Sequence, residues 1–192
     1  SELGVSRGPV TESIRRLAEE GLVVLAPNGR PFVRGLTHRY LRDLYEFRTQ
    51  LDLLAIKTAL AAPEPPDLGP LWEAVAAMRR AQASSDIDAL AESDIAFHRD
   101  LIALARNAVF NQVWASIADF SRSLLTVTDK LQTASPSVPD IHAAIATAIA
   151  ARDLVQVEET VRAHYRYGED LLVSSGLVYP VDDDRLGPAP QR

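Results

Sequence analysis

His142 and His164 stand eleven residues on either side of Asp153, and this symmetry constrains the fold more than any other feature of the chain. His142 shares a helical stripe with Ile145 and Ile149, and His164 shares another with Val157, Val161 and Leu171. Arg152-Asp153 reads as the turn between them. In an antiparallel helix pair, residues equidistant from the turn come level with each other, so the two imidazoles should meet. Asp94 and His98 lie four apart in a third helical stretch, Asp94-Ile-Ala-Phe-His98, which puts both side chains on one face. The chain has only four histidines and no cysteine, so three of the four would join one constellation. A single histidine in an apolar stripe is usually an ordinary core or surface residue. Three imidazoles and a carboxylate converging inside a bundle instead suit a divalent first-row metal, zinc foremost, with nickel, manganese and iron compatible. Four protein ligands close a tetrahedral site but leave open positions in an octahedral one, where the carboxylate of an organic acid can bind.

Everything from Thr37 onward has helical spacing. Thr37 is a capping residue for a long helix to about Ala62, whose expected buried side is Leu41, Leu44, Tyr45, Phe47, Leu51, Leu54 and Ile56. Pro63-Glu64-Pro65-Pro66 ends it. A second helix follows Pro70 through Trp72 and Met78, and a third starts at Ser84-Ser85-Asp86 and carries Leu90, Asp94, Phe97, His98 and Leu101. Asn107 separates it from a fourth, with Phe110, Val113, Trp114, Leu124 and Leu125. The stretch from Thr133 to Pro139 reads as a loop before the two histidine-bearing helices. The expected fold is mainly α, a six-helix bundle over residues 37–175, with a polar, proline-rich tail over 176–192 that defaults to disorder.

Residues 1–36 read differently. Ser6 caps a helix with Pro9 in its first turn, Val10, Ile14 and Leu17 make its stripe, and Gly21 stops it. A turn at Gly4 precedes it. Two short β-prone runs, Leu22–Leu25 and Phe32–Arg34, flank Pro27-Asn28-Gly29-Arg30-Pro31, and Asn-Gly is a strong hairpin signal. Helix, hairpin and a preceding turn give the order of a truncated winged helix-turn-helix head without its first helix. In that reading the helix from Ser6 enters the major groove with Arg7 in its first turn, and Asn28-Gly29-Arg30 is the wing tip. The alternative is a small helix-hairpin cap with a solvated arginine face.

Charge supports the division. The chain carries a net −6, yet residues 1–36 hold five arginines against four glutamates, so an acidic body follows a slightly basic head. Absent cysteines exclude thiolate metal sites and disulfide scaffolds and fit a reducing, cytoplasmic setting. No apolar run is long enough to span a bilayer, so no membrane partner is expected. Arg48, set among Tyr45, Phe47 and Leu51, either reaches inward to meet an acid ligand or snorkels to water, and Arg122 poses the same choice.

Together these residues resemble the GntR family of bacterial transcription regulators, in the FCD (FadR C-terminal domain) branch. The head string from Glu2 to Leu22, Tyr45-Glu-Phe-Arg48, Asp94-x-x-x-His98 and the His142/His164 pair carry the resemblance, which covers residues 1 to about 175. It implies that Asp94, His98, His142 and His164 are metal ligands and that Ser6, Arg7, Thr11, Asn28 and Gly29 occupy DNA-contacting positions. Six bundle helices look like the VanR-type subgroup. The family pattern implies a homodimer that reads short palindromic operator DNA and changes its affinity when a small organic or sugar acid binds. At Thr11 the family commonly has arginine, which implies altered specificity or one weaker contact. The expected head lacks its first helix and most of its second, so it should be poorly anchored and bind DNA weakly.

Two other classes compete with a regulator: a metal-dependent helical-bundle enzyme, and a structural metal in a dimerisation module. No His-Glu-x-x-His string is present, and none of His98, His142 and His164 has a glutamate three residues before it, as di-iron bundles require. The chain is therefore expected not to be an enzyme.

Overall fold

The computed structural model describes residues 6–19, 23–25, 29–33, 37–131, 138–176 and 178. Residues 41–176 form one compact unit, and the described residues of 1–40 belong to another. In the smaller unit, α1 (Arg7–Glu19) precedes β1 (Val23–Leu25) and β2 (Pro31–Val33). The strands pair antiparallel, Val23 opposite Val33 and Leu25 opposite Pro31. Gly29 has φ +75°, a left-handed conformation that glycine adopts without a Cβ penalty. The expected turn at Gly4, the helix stop at Gly21, and Asn28 all lie outside the described residues, as do 132–137 and 179–192.

Six helices make up the rest: α2 (His38–Ala61), α3 (Gly69–Ser84), α4 (Ile87–Ala103), α5 (Ala108–Leu131), α6 (Val138–Ala150) and α7 (Leu154–Ser174). Their boundaries follow local chemistry. The Thr37 hydroxyl accepts from the Tyr40 amide at 3.1 Å, and Asp86 Oδ1 accepts from the Ala89 amide at 3.0 Å. Asp153 Oδ1 takes two orphan amides at the start of α7, Val155 at 3.1 Å and Gln156 at 3.0 Å. Asn107 Oδ1 does the same for Val109 at 2.9 Å. Ser85, Arg106 and Arg152 turn the chain with φ near +50°, each just after a helix end.

α3 packs on α4 and α6, α4 on α5, and α7 on both α6 and α5. Phe97, Leu101, Ile145, Val157 and Val161 are fully enclosed where these helices meet. Burying each such side chain contributes about 1.5–3 kcal/mol.

Three expectations need correction. Phe47 and Leu54 are 44% and 50% exposed, so α2 does not bury them. Its inward stripe runs instead through Leu41, Tyr45, Arg48, Asp52, Ala55 and Ala59, steps of three and four that follow the helical period. Phe47 and Leu54 sit seven apart on the opposite face. Val138 and Pro139 are not loop: they form the buried first turn of α6, where proline's missing N–H costs nothing.

Candidate metal centre

Three helices bring the constellation together. Asp94 and His98 come from α4, His142 from α6 and His164 from α7. Phe97 stacks edge-on against His142 at 4.8 Å between ring centroids and against His98 at 5.7 Å, which fixes both rings sideways. The Arg152-Asp153 turn sets the register of α6 and α7, and the Arg152 guanidinium donates to the Leu60 carbonyl, tying that turn to the end of α2. As the equidistance from Asp153 predicts, the His142 and His164 rings meet, their centroids 4.6 Å apart.

One nitrogen from each of His98, His142 and His164 lies within 4.8 Å of the others. The Nε2 atoms of His98 and His164 are 3.2 Å apart. Asp94 completes the set: Oδ2 is 3.2 Å from His142 Nε2, and Oδ1 is 3.6 Å from His98 Nε2. The three imidazoles therefore converge on one point, and Asp94 borders it through its contacts with His142 and His98, while His164 is partly exposed. His98 and His142 are fully buried and Asp94 is nearly so.

The electrostatics follow from that burial. Burial raises the Asp94 carboxyl, but the His142 imidazole and its hydrogen bond, then His98 and His164, hold it below the usual carboxylate range overall. His164 is pushed well below an ordinary histidine, first by burial and then by the neighbouring imidazoles His142 and His98. Its ring is thus neutral at pH 7, with a nitrogen lone pair to offer. The His142 Nδ1–H donates to the Val138 carbonyl at 2.8 Å, a bond that leaves Nε2 as the nitrogen facing Asp94.

The donor set fits a cation. Asp94 Oδ1 is buried with no hydrogen-bond partner, and an unpaired buried carboxylate oxygen costs free energy unless a positive group meets it. His98 Nε2 and His164 Nε2, 3.2 Å apart, turn toward one another, so that one proton or one cation can lie between them.

Arg48 reaches inward. Its guanidinium carbon lies 5.0 Å from the Tyr165 ring, 5.5 Å from Trp114 and 5.8 Å from Tyr45, and only 2% of the residue is exposed. Burial works against its charge, but Tyr165, Tyr45, Asp94 and Asp52 raise its pKa overall. Its Nε has no hydrogen-bond partner. Arg48, Asp94, His142 and His164 share the lining of a cavity of about 30 Å³ with Tyr45, Leu125 and Ile141. That volume accommodates one or two waters, or a very small anion. Gly168 belongs to the same wall: a Cβ there would come within 2.9 Å of Tyr45 Cε1. Arg122, the second arginine considered for an acid ligand, pairs instead with Glu92 and is not among the lining residues.

Two residues that the sequence reading did not single out, Asp52 and Tyr165, belong to this site. Asp52 Oδ2 is 2.8 Å from His98 Nδ1, and the Tyr165 hydroxyl donates to the same oxygen at 2.7 Å. The available signal was Asp52's position, four residues after Arg48 on the stripe of Leu41 and Tyr45.

Residues 43–167 match the FCD domain family, about two thirds of the chain. The chain belongs to the FCD domain family. Among curated proteins it is 22% identical over 132 residues to the gluconate operon transcriptional repressor of Bacillus subtilis (strain 168), covering 69% of this chain and 54% of that one. It is 29% identical over 121 residues to the Nta operon transcriptional regulator of Aminobacter aminovorans, covering 62% of this chain and 56% of that one. The chain thus spans little more than half the length of these relatives. Two solved structures share the fold. A GntR family transcriptional regulator from Pseudomonas syringae pv. tomato str. DC3000 superposes with a TM-score of 0.62 at 19% identity, covering 90% of this FCD chain and 71% of that one. E. coli McbR/YncC does so with a TM-score of 0.67 at 18% identity, covering 91% and 83%. Among the described residues no helix is long and apolar enough to cross a membrane.

Proposed function

We propose that this FCD protein is a GntR-type transcription regulator of the VanR-like subgroup, whose helical unit holds a divalent metal and a small carboxylate effector. The observation that carries the reading is the convergence of His98, His142 and His164 with Asp94 beside two of them, within a family whose relatives include operon regulators. Asp94, His98, His142 and His164 would hold the ion. When bound, it supplies positive charge to which a carboxylate oxygen can bind.

Charge balance supports an acid as the effector. Among the described residues, the deeply buried arginine and carboxylates are Arg48, Asp52 and Asp94, and these three side chains sum to one negative charge. A divalent ion reverses that to one positive charge, which a single carboxylate neutralises. Arg48 is the side chain placed to meet the acid's second oxygen, since its guanidinium is held among rings with Nε unengaged. The cavity's small volume favours short acids over sugar acids unless its walls move.

For the smaller unit, α1 and the β1–β2 hairpin supply the DNA-reading surface of a winged head. Ser6 and Thr11 are exposed on or beside α1, Arg7 opens the helix, and Gly29 sits in the strand connection next to Asn28. Operator DNA and a second copy of the chain are the partners of this reading.

Elemental analysis of untagged protein, followed by calorimetric titration of short carboxylates with and without chelator, tests the site. Metal at about one ion per chain and acid binding that chelator abolishes are expected. Equal acid binding with and without metal refutes the effector role. A mobility shift on operator DNA across a salt series tests the head, because phosphate contacts make affinity fall steeply as salt rises.

A further inference from the structure

Asp52 lies on α2, outside the set of groups that face the cation point, yet it is 1% exposed and touches two residues of the site. A buried carboxylate in such a place needs a reason. Its Oδ2 sits between His98 Nδ1 at 2.8 Å and the Tyr165 hydroxyl at 2.7 Å, while the same hydroxyl is 3.2 Å from His98 Nδ1. A carboxylate oxygen only accepts, so each of its two neighbours must bring a proton. Tyr165 has one hydroxyl proton and spends it on Oδ2. The 2.8 Å contact with His98 is therefore attractive only when Nδ1 carries its own hydrogen. Neutral imidazole has one N–H, so Nε2 is left bare and faces His164 Nε2 and Asp94.

We propose that Asp52 is the positioning residue of the metal centre: it holds His98 in the Nδ1–H tautomer and in the rotation that aims Nε2 at Asp94, His142 and His164. This rests on the metal reading above for its purpose, but the tautomer itself is a property of the metal-free protein. His142 achieves the same end with a backbone carbonyl, that of Val138, in the turn preceding it on α6. His98 has no such carbonyl engaged at Nδ1 and draws on a side chain from another helix. Tyr165 assists by donating its hydroxyl proton to the same Oδ2 at 2.7 Å. Partners of this kind on a ligating histidine typically change metal affinity by about 10–100-fold when removed.

The test has two arms on the full chain. In metal-free wild type, two-bond proton–nitrogen correlation of the histidine rings should report His98 as the Nδ1–H tautomer; finding it as Nε2–H overturns the proposal without any variant. In Asp52→Asn, the carboxamide can turn an N–H toward Nδ1, so His98 should shift to the Nε2–H form, and zinc affinity measured by calorimetry should fall about 10–100-fold. Tyr165→Phe, which keeps the carboxylate, should retain the tautomer and lose less affinity. An Asp52→Asn protein with wild-type tautomer and wild-type zinc affinity overturns the role. Should wild type bind no zinc, manganese or nickel, the metal reading fails, and the ring spectra still decide whether Asp52 orients His98.

Discussion

His98 and His164 point their Nε2 atoms at each other across 3.2 Å, from α4 and α7, in the interior of the helical unit. Neither ring reaches this position by local sequence alone. Asp52 holds the first from α2, and the α6–α7 turn delivers the second in register with His142. The pair makes the proposed ion a structural brace between α4 and α7, beside the contact of the Tyr165 hydroxyl with His98 Nδ1.

Zinc should therefore stabilise the protein. A ligand that binds only the folded state, present at about 100 times its Kd, adds about 2.7 kcal/mol. For a domain of this size that raises Tm by about 5–10 °C. Thermal unfolding with zinc and with chelator measures the difference. His142→Ala and His164→Ala should erase it, whereas His38→Ala, at the start of α2, should preserve it in full. A zinc response retained in both ligand variants would sink the proposed centre.

Arg48→Met is expected to separate the acid from the metal. Methionine fills much of the space among Tyr45, Trp114 and Tyr165 without the charge. Metal affinity should hold or rise, since one buried positive charge is gone, while carboxylate affinity should fall at least about 10-fold, or 1.4 kcal/mol. Calorimetry of a short acid on the zinc-loaded variant reads this out; unchanged acid affinity would remove Arg48 from the effector's contacts.

Gly168→Ala tests the closeness of α2 and α7. The new methyl would sit 2.9 Å from Tyr45 Cε1, so the ring or the helix must give way. Overpacking of this kind costs about 1–3 kcal/mol. Chemical denaturation should show that loss, and combining the change with Tyr45→Leu should recover part of it. An unperturbed single variant would mean that Tyr45 moves at no cost.

Asp153→Ala removes the cap from two amides of α7 and loosens the turn that sets the histidine register. The expected loss is about 1 kcal/mol. Because the Arg152 guanidinium still ties the turn to Leu60, metal stoichiometry should stay at one per chain. Denaturation and metal titration of the same preparation check both statements.

Much of this architecture was legible from local chemistry. Thr37, Asp86, Asn107 and Asp153 mark helix starts because a short oxygen-bearing side chain there satisfies amides the helix leaves open. The meeting of His142 with His164 and of Asp94 with His98 was legible because four-residue spacing and equidistance from a turn are geometric facts about helices. What escaped was rotational phase. In α2, Phe47 and Leu54 looked like core and are exposed, while Arg48 and Asp52 are inside. An apolar count weighs a phenylalanine above an aspartate at every position. The buried stripe was chosen by what lies opposite it, a histidine, a tyrosine and a carboxylate on other helices, and no window along α2 contains them. The arginine at 122 escaped for a similar reason: Glu92 claims it from across α4 and α5.

The chamber beside His142 and His164 measures about 30 Å³ and is lined in part by Tyr45, Leu125 and Ile141. A guest of more than a few heavy atoms that docks there presses on Tyr45 of α2, Leu125 of α5 and Ile141 of α6. Recognition and deformation are then one event, and the work of admitting the guest is already the work of passing its arrival to the rest of the chain.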